Sequence, residues 1–250
     1  LTGLKAVVVH PRMDFMILAT DQIVNQAAKW QSMLGGNIKI PLTIRGIINR
    51  GGEQGAQHSQ ALHSWYAHIP GLKVVMPATA IDARDLLVAS VLSNDPVLYI
   101  DDRWCYESES DFKPIEEINL NTVIPQKIHD GNDITIVSCS YTSLLSLEAA
   151  KELKKDNVNV EIIDLRLLNP LNINPIINSV EKTGRLLVVD GGWLHYGLTG
   201  EIIASVAERI TFKNSLPQRL AIENSPAPTS KYLESEYYIT SKKITDKILQ

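Results

Sequence analysis

Strand-length apolar runs alternate with helix-length amphipathic ones along most of this 250-residue chain, and that alternation limits the possible folds more than any other feature. Residues 5–10 form a β-branched run of strand length. Ile23, Ala27, Trp30 and Leu34 make the stripe of an amphipathic helix that Gly35-Gly36 stops. Residues 40–45 read as a strand, 61–67 as a helix, Lys73–Met76 as a short strand and 82–92 as a helix ended by Ser93-Asn94-Asp95-Pro96. Residues 97–100 are the next strand. Strands and helices in this order predict βαβ units and a mostly parallel sheet.

Between residues 107 and 129 the pattern fades into charged residues, Pro114 and Pro125, as in a connecting arm. This places a division near residue 123, between 1–123 and 124–250. A second α/β set follows. Its strands are expected at Ile134–Ser138, 158–163, 186–189 and 219–222. Its helices carry Leu145, Ala149 and Leu153, span 175–180, carry Ile202, Val206 and Ile210, and close at Ser241–Leu249. The fold class is therefore α/β, in two units.

Apolar content of 44% and charged content of 21% are ordinary for a globular protein. A net charge of −4 supplies no basic excess to neutralise phosphates, which argues against nucleic acid as a partner. The longest apolar runs are strand-sized, so no membrane span is expected. Cys105 and Cys139 lie far apart without metal-type spacing, which fits a reducing compartment. Leu1 to Lys5 show neither an initiator methionine nor a signal peptide and read like a domain interior, so we expect a processed or truncated piece.

The chemistry-bearing residues gather in a glycine-rich loop. Gly51, Gly52 and Gly55 precede Gln57-His58-Ser59-Gln60, and loops on a rigid α/β scaffold are where chemistry usually sits. His58, His63 and His68 follow at steps of five. On a helix such residues point about 140° apart and cannot converge on a metal. His63 and His68 read as loop or surface residues, and His58 is suited to proton handling. Phe15 falls after the first strand, at the end where open parallel sheets bind ligands, although a lone Phe is most often core. Ser90, Val91, Ser93 and Asp95 close the 82–92 helix. Its last carbonyls carry the negative dipole end and, with one carboxylate, suit a hard cation or an ordinary C-cap before Pro96.

Beyond the histidine loop, Trp65-Tyr66-Ala67-His68 and Pro70-Gly71-Leu72-Lys73-Val74-Val75-Met76-Pro77 continue a longer signature. So do Asp164-Leu165-Arg166-Leu167-Leu168-Asn169-Pro170-Leu171, Val188-Val189-Asp190-Gly191-Gly192-Trp193, and Ala221-Ile222-Glu223 with Pro226-Ala227-Pro228-Thr229-Ser230 and Leu233-Glu234. Together they resemble the beta subunit of the thiamine-diphosphate-dependent decarboxylase component of 2-oxo acid dehydrogenase complexes, of the pyruvate or branched-chain type.

The resemblance implies a partial pyrimidine-binding-type domain with a mostly parallel sheet, followed by a transketolase C-terminal-like α/β domain. It implies decarboxylation of a 2-oxo acid with transfer of the acyl unit to a lipoyl group. It makes His58 the active-site histidine and Phe15 the ring that stacks on the cofactor's aminopyrimidine. It also implies a structural potassium ion on Leu42, Ser90, Val91, Ser93 and Asp95. The family's magnesium-diphosphate signature, Gly-Asp-Gly followed by Asn, is not in this sequence, so thiamine diphosphate is expected to be shared with an alpha subunit that holds Mg²⁺. No residue matches the family's pyrimidine-binding glutamate, whose segment would precede Leu1, and the activity of this chain alone stays open. Expected partners are the alpha subunit, a second beta subunit and a lipoyl acyltransferase core. The expected place is the cytoplasm, or the mitochondrial matrix or a plastid in a eukaryote. Two rivals stay open: a non-catalytic assembly scaffold, and another transketolase-like enzyme acting on a sugar or diketone.

Overall fold

The computed structural model describes residues 2–212 and 215–250. β1 (Ala6–His10) runs parallel to β2 (Leu42–Ile48), with Val8 opposite Ile44. Between them the chain passes through a 3-10 segment, Met13–Ala19, a π-helical segment, Gln22–Ala27, and α1 (Ala28–Met33). Ile23 and Ala27 of the expected stripe are buried, whereas Leu34 is exposed because the helix ends before it. α2 (His63–Ala67), β3 (Lys73–Met76), α3 (Ala80–Leu92) and β4 (Val97–Asp102) follow. All six residues of β4 are buried, since it lies between β2 and β3 in the sheet. A strand covered on both faces reads as a continuous apolar run rather than an alternating one. Thr79 caps α3 by accepting the Asp82 N–H at 3.1 Å, worth about 1 kcal/mol.

The expected arm is less free than its composition suggests. Arg84 on α3 donates to the carbonyls of Lys113 and Pro114, and Leu120 and Val123 are buried against Val75, Leu86 and Tyr99. The arm thus covers one face of the first sheet before β5 (Gln126–His129).

In the second half, β6 (Ile134–Ser138), α4 (Tyr141–Leu153), β7 (Val160–Asp164), β8 (Arg166–Asn169), α5 (Asn174–Thr183), β9 (Leu186–Trp193), α6 (Leu198–Ala207), β10 (Gln218–Ile222), α7 (Lys231–Tyr237) and α8 (Ser241–Leu249) succeed one another. The strands form two five-stranded sheets, β1-β2-β4-β3-β8 and β10-β9-β6-β7-β5. Each is parallel except for one antiparallel edge strand, β8 in the first and β5 in the second. β8 comes from the second half of the chain but pairs with β3 of the first, which stitches the halves together. The largest apolar cluster likewise holds Met16, Ile48 and Leu98 together with Val137, Ile163 and Ile202. Each such buried aliphatic side chain contributes roughly 1.5–3 kcal/mol. No helix among the described residues is long and apolar enough to cross a membrane.

Candidate active site

The carboxyl ends of β1, β2 and β4 lie side by side, the edge at which open parallel sheets bind ligands. Side chains lace them together: Asn49 donates from Nδ2 to Pro11 O at 3.2 Å, and Arg103 donates to Asn49 Oδ1 at 2.9 Å. The segment after β1 carries Phe15, and the segment after β2 carries His58. Gly46 in β2 lets the first segment approach, because a Cβ there would stand 2.7 Å from Met16 Sδ.

Phe15 and His58 meet edge to face, with ring centroids 5.3 Å apart and planes 74° apart. Phe15 is 45% exposed rather than core, and His58 is half-buried. An aromatic face open to solvent and backed by an imidazole is a surface for a flat heterocycle. Asp14 secures the pair. Its Oδ1 accepts from both Gln60 N, at 3.0 Å, and Gln60 Nε2, at 3.1 Å, tying the Phe15 segment to the His58 loop. Among the described residues, Asp14 Oδ2 and Ser59 Oγ are enclosed without a hydrogen-bond partner. Two such orphaned oxygens beside the ring pair are places where a ligand's polar groups would be received.

His68 is exposed, as expected, but His63 is not. The reading of His63 as a loop or surface residue is corrected: its side chain is fully enclosed, and Nε2 lies 2.9 Å from Asp190 Oδ1 on β9. A spacing argument along one helix could not show a partner 127 residues away. Burial pushes the Asp190 carboxyl up, but His63, the Gly192 N–H and Arg50 more than offset it and hold it below the usual carboxylate range. Cys139 Sγ is 3.9 Å from the same carboxylate, and burial drives its thiol far above the ordinary value. Arg50 joins this interior network, donating from Nε to Asp102 Oδ2 and from Nη1 to Gly191 O, each at 2.7 Å.

The five expected cation donors gather around the end of α3, and most already have partners. The Lys5 ammonium donates to Leu92 O at 2.8 Å and to Ser93 O at 3.0 Å. The Lys73 ammonium pairs with the Asp95 carboxylate. Ser90 O accepts from Ser93 N at 3.2 Å, as in an ordinary C-cap. Leu42 begins β2, and Val91 lies within the last turn of α3.

Comparison with known proteins agrees with this architecture. The family model of the transketolase pyrimidine-binding domain matches residues 1–105, and that of the transketolase C-terminal domain matches 126–244. The acetoin:2,6-dichlorophenolindophenol oxidoreductase subunit beta of Cupriavidus necator is 35% identical over 97% of this chain and 72% of its own length. The pyruvate dehydrogenase E1 component subunit beta of Rickettsia bellii is 36% identical over 93% of this chain and 71% of its own. The mitochondrial subunit beta-1 of the same component from Arabidopsis thaliana is 37% identical over 93% and 65%. A solved split-gene transketolase, an inactive beta4 tetramer, superimposes with a TM-score of 0.79 at 18% identity, covering 99% of this chain and 75% of that one.

Proposed function

The chain belongs to the transketolase-like family that includes the beta subunits of pyruvate dehydrogenase E1 and of acetoin oxidoreductase, and from that premise we propose that it supplies the pyrimidine half of a shared thiamine diphosphate cleft. The observation that carries the reading is the meeting of Phe15 and His58 at the carboxyl edge of the first sheet. The reaction is the decarboxylation of a 2-oxo acid with delivery of the acyl unit to a lipoyl group. Bound thiamine diphosphate would supply the nucleophilic carbon that such chemistry requires.

The chain's own residues do the rest. Phe15 offers its face to the aminopyrimidine and excludes water from one side. A ring nitrogen of His58 gives or takes a proton at the mouth of the cleft, work that typically contributes 10²–10⁴-fold. Asp14 keeps the two in register, and its second oxygen, with Ser59 Oγ, is free to receive polar groups of the ligand. Mg²⁺ and the diphosphate belong to an alpha subunit in this reading, because Mg²⁺ sites combine carboxylates with phosphate oxygens and this chain lacks the family's signature for them. A second beta subunit and a lipoyl acyltransferase core complete the assembly, in the cytoplasm or, in a eukaryote, the mitochondrial matrix or a plastid. The division of the chain near residue 123 is part of the same proposal.

Potassium does not fit as a resident ion, because Lys5 and Lys73 already place ammonium groups on Ser93 O and the Asp95 carboxylate. No step is routed through it.

The test is reconstitution with an alpha subunit, thiamine diphosphate and Mg²⁺, reading acylation of a lipoyl domain from pyruvate, from branched-chain 2-oxo acids and, in parallel, from acetoin. His58→Ala should cut acylation at least about 100-fold. Stable assembly without cofactor-dependent turnover of any of these substrates would overturn the reading in favour of a scaffold.

A further inference from the structure

Within the His58 loop the backbone makes one described bond of its own, His58 N donating to Gly55 O at 3.4 Å. Gly51, Gly52, Glu53 and Gly55 all have φ between +59° and +72°, a run of left-handed residues that resists regular hydrogen bonding and is costly at the non-glycine position. What fixes such a loop is what touches it. From the first half, Arg12 donates to Gln54 Oε1 at 3.2 Å, and Asp14 holds Gln60. The crest is held from the other half of the chain. Glu234, on α7, accepts the Glu53 N–H through Oε2 at 3.0 Å. Thr229 Oγ1 lies where a Cβ on Gly55 would come within 2.8 Å.

Glu234 is an unusual residue to find there. It is 6% exposed, and among the described residues it has no cationic partner and its enclosed Oε1 has no hydrogen-bond partner. Burying a carboxylate is expensive, and one charge-assisted bond to a backbone N–H returns only part of the cost. The one described hydrogen bond of its carboxylate reaches the crest of the His58 loop, so its role is read from the geometry it imposes. We propose that Glu234 is a positioning residue for His58. By anchoring the Glu53 N–H it fixes the crest of the loop, and through the crest it keeps the imidazole against Phe15. The second half of the chain thereby sets the geometry of a site built on the first. This rests on the functional reading above.

The experiment uses the full complex with alpha subunit and cofactor, and compares Glu234→Ala, Glu234→Gln and Glu234→Met. The expected result for Glu234→Ala is a fall in kcat on the order of 100-fold, the scale of a displacement near 1 Å, with KM for the 2-oxo acid unchanged. Glu234→Gln keeps an acceptor for the Glu53 N–H and should restore most of the rate. Glu234→Met fills similar volume without an acceptor, so it should show the fall in kcat expected of Glu234→Ala, and it carries the test should the alanine variant fail to fold. In a His58→Ala background none of the three should slow the enzyme further. Wild-type kcat in Glu234→Met, or an equal slowing with and without His58, would overturn the proposal. Amide exchange across residues 51–57 is measured in the same complexes. Faster exchange in Glu234→Met supports the anchor even if no substrate is turned over, and unchanged exchange refutes it, so failure of the anchor and failure of the functional reading give different results.

Discussion

His63 Nε2 stands 2.9 Å from Asp190 Oδ1 with both side chains buried, and this contact joins the helix after the His58 loop to β9, the strand beside the central one of the second sheet. A buried pair contributes little relative to apolar packing, but removing one partner strands the other. His63→Ala should therefore destabilise the chain by roughly 3–5 kcal/mol. The Asp190 carboxyl titrates below its unfolded value, so its contribution is present above about pH 4 and fades only in stronger acid. Urea unfolding of His63→Ala at neutral pH checks this; a loss below about 0.5 kcal/mol, the size expected of a featureless surface change, would show that the pair holds nothing.

Asp164, at the carboxyl end of β7, has the opposite sign. Burial pushes its carboxyl up to about 7, Asp82 adds to the rise, and the Ser143 hydroxyl and Arg166 only partly offset it. The folded chain therefore binds a proton here more tightly than the unfolded chain does. The stability this gives is complete below about pH 4 and is lost as pH rises towards 7. About three pH units of displacement correspond to a loss on the order of 4 kcal/mol. Asp164→Asn removes the titration: its Tm should match wild type near pH 4 and exceed it at pH 8. Parallel Tm–pH curves for the two proteins would refute the assignment.

How much of this was readable from residues alone follows the range of each interaction. Parallel βαβ order, the β3 strand and the C-terminal helix are set by local periodicity, and they appear where the pattern puts them. β8 was not legible. It is four residues long, begins at Arg166 with φ of +60°, and exists because β3 lies beside it. α7 was missed for a related reason, since Lys231–Tyr237 is polar and short, with only Glu234 buried. At the site, Phe15 and His58 could be named from the family resemblance, and the sheet edge then brings them together. Asp14 carried no signal, and Glu234 stands in the family signature with no role attached to it. A carboxylate in sequence looks solvated, and only the fold shows that each reaches a backbone N–H of the His58 loop.

Asp14 supplies a test of the local half of that arrangement. Asp14→Ala would leave Gln60 N and Nε2 without their shared acceptor, a loss of about 1 kcal/mol for partly buried bonds. It would also free the Phe15 segment from the His58 loop. We expect lipoyl acylation by the reconstituted complex to fall at least about tenfold, by an effect of the same kind as a small misplacement of reacting groups. Asp14→Asn retains an oxygen for both donors and should lose much less. Equal losses in the two variants would mean that the charge, not the hydrogen bonds, is what the site uses.

Lys5 and Ser93 make a different test, at the amino ends of the first sheet's parallel strands, the end away from the site, where α3 ends. The ammonium sits on the last carbonyls of the helix, a position that favours a cation by about 0.3–1 kcal/mol. A free potassium ion would have to displace it, and would also have to separate Lys73 from Asp95. The Tm of the wild-type chain should therefore agree within roughly 1 °C in potassium, sodium and choline chloride at equal ionic strength, a few tenths of a kcal/mol at this size. Lys5→Met uncovers the carbonyls. If the ammonium is what fills the site, potassium should then raise the variant's Tm selectively, by about 2–4 °C for each kcal/mol of binding. A potassium-specific rise in the wild-type protein itself would show that the ion outcompetes Lys5, and that the cage is open in solution.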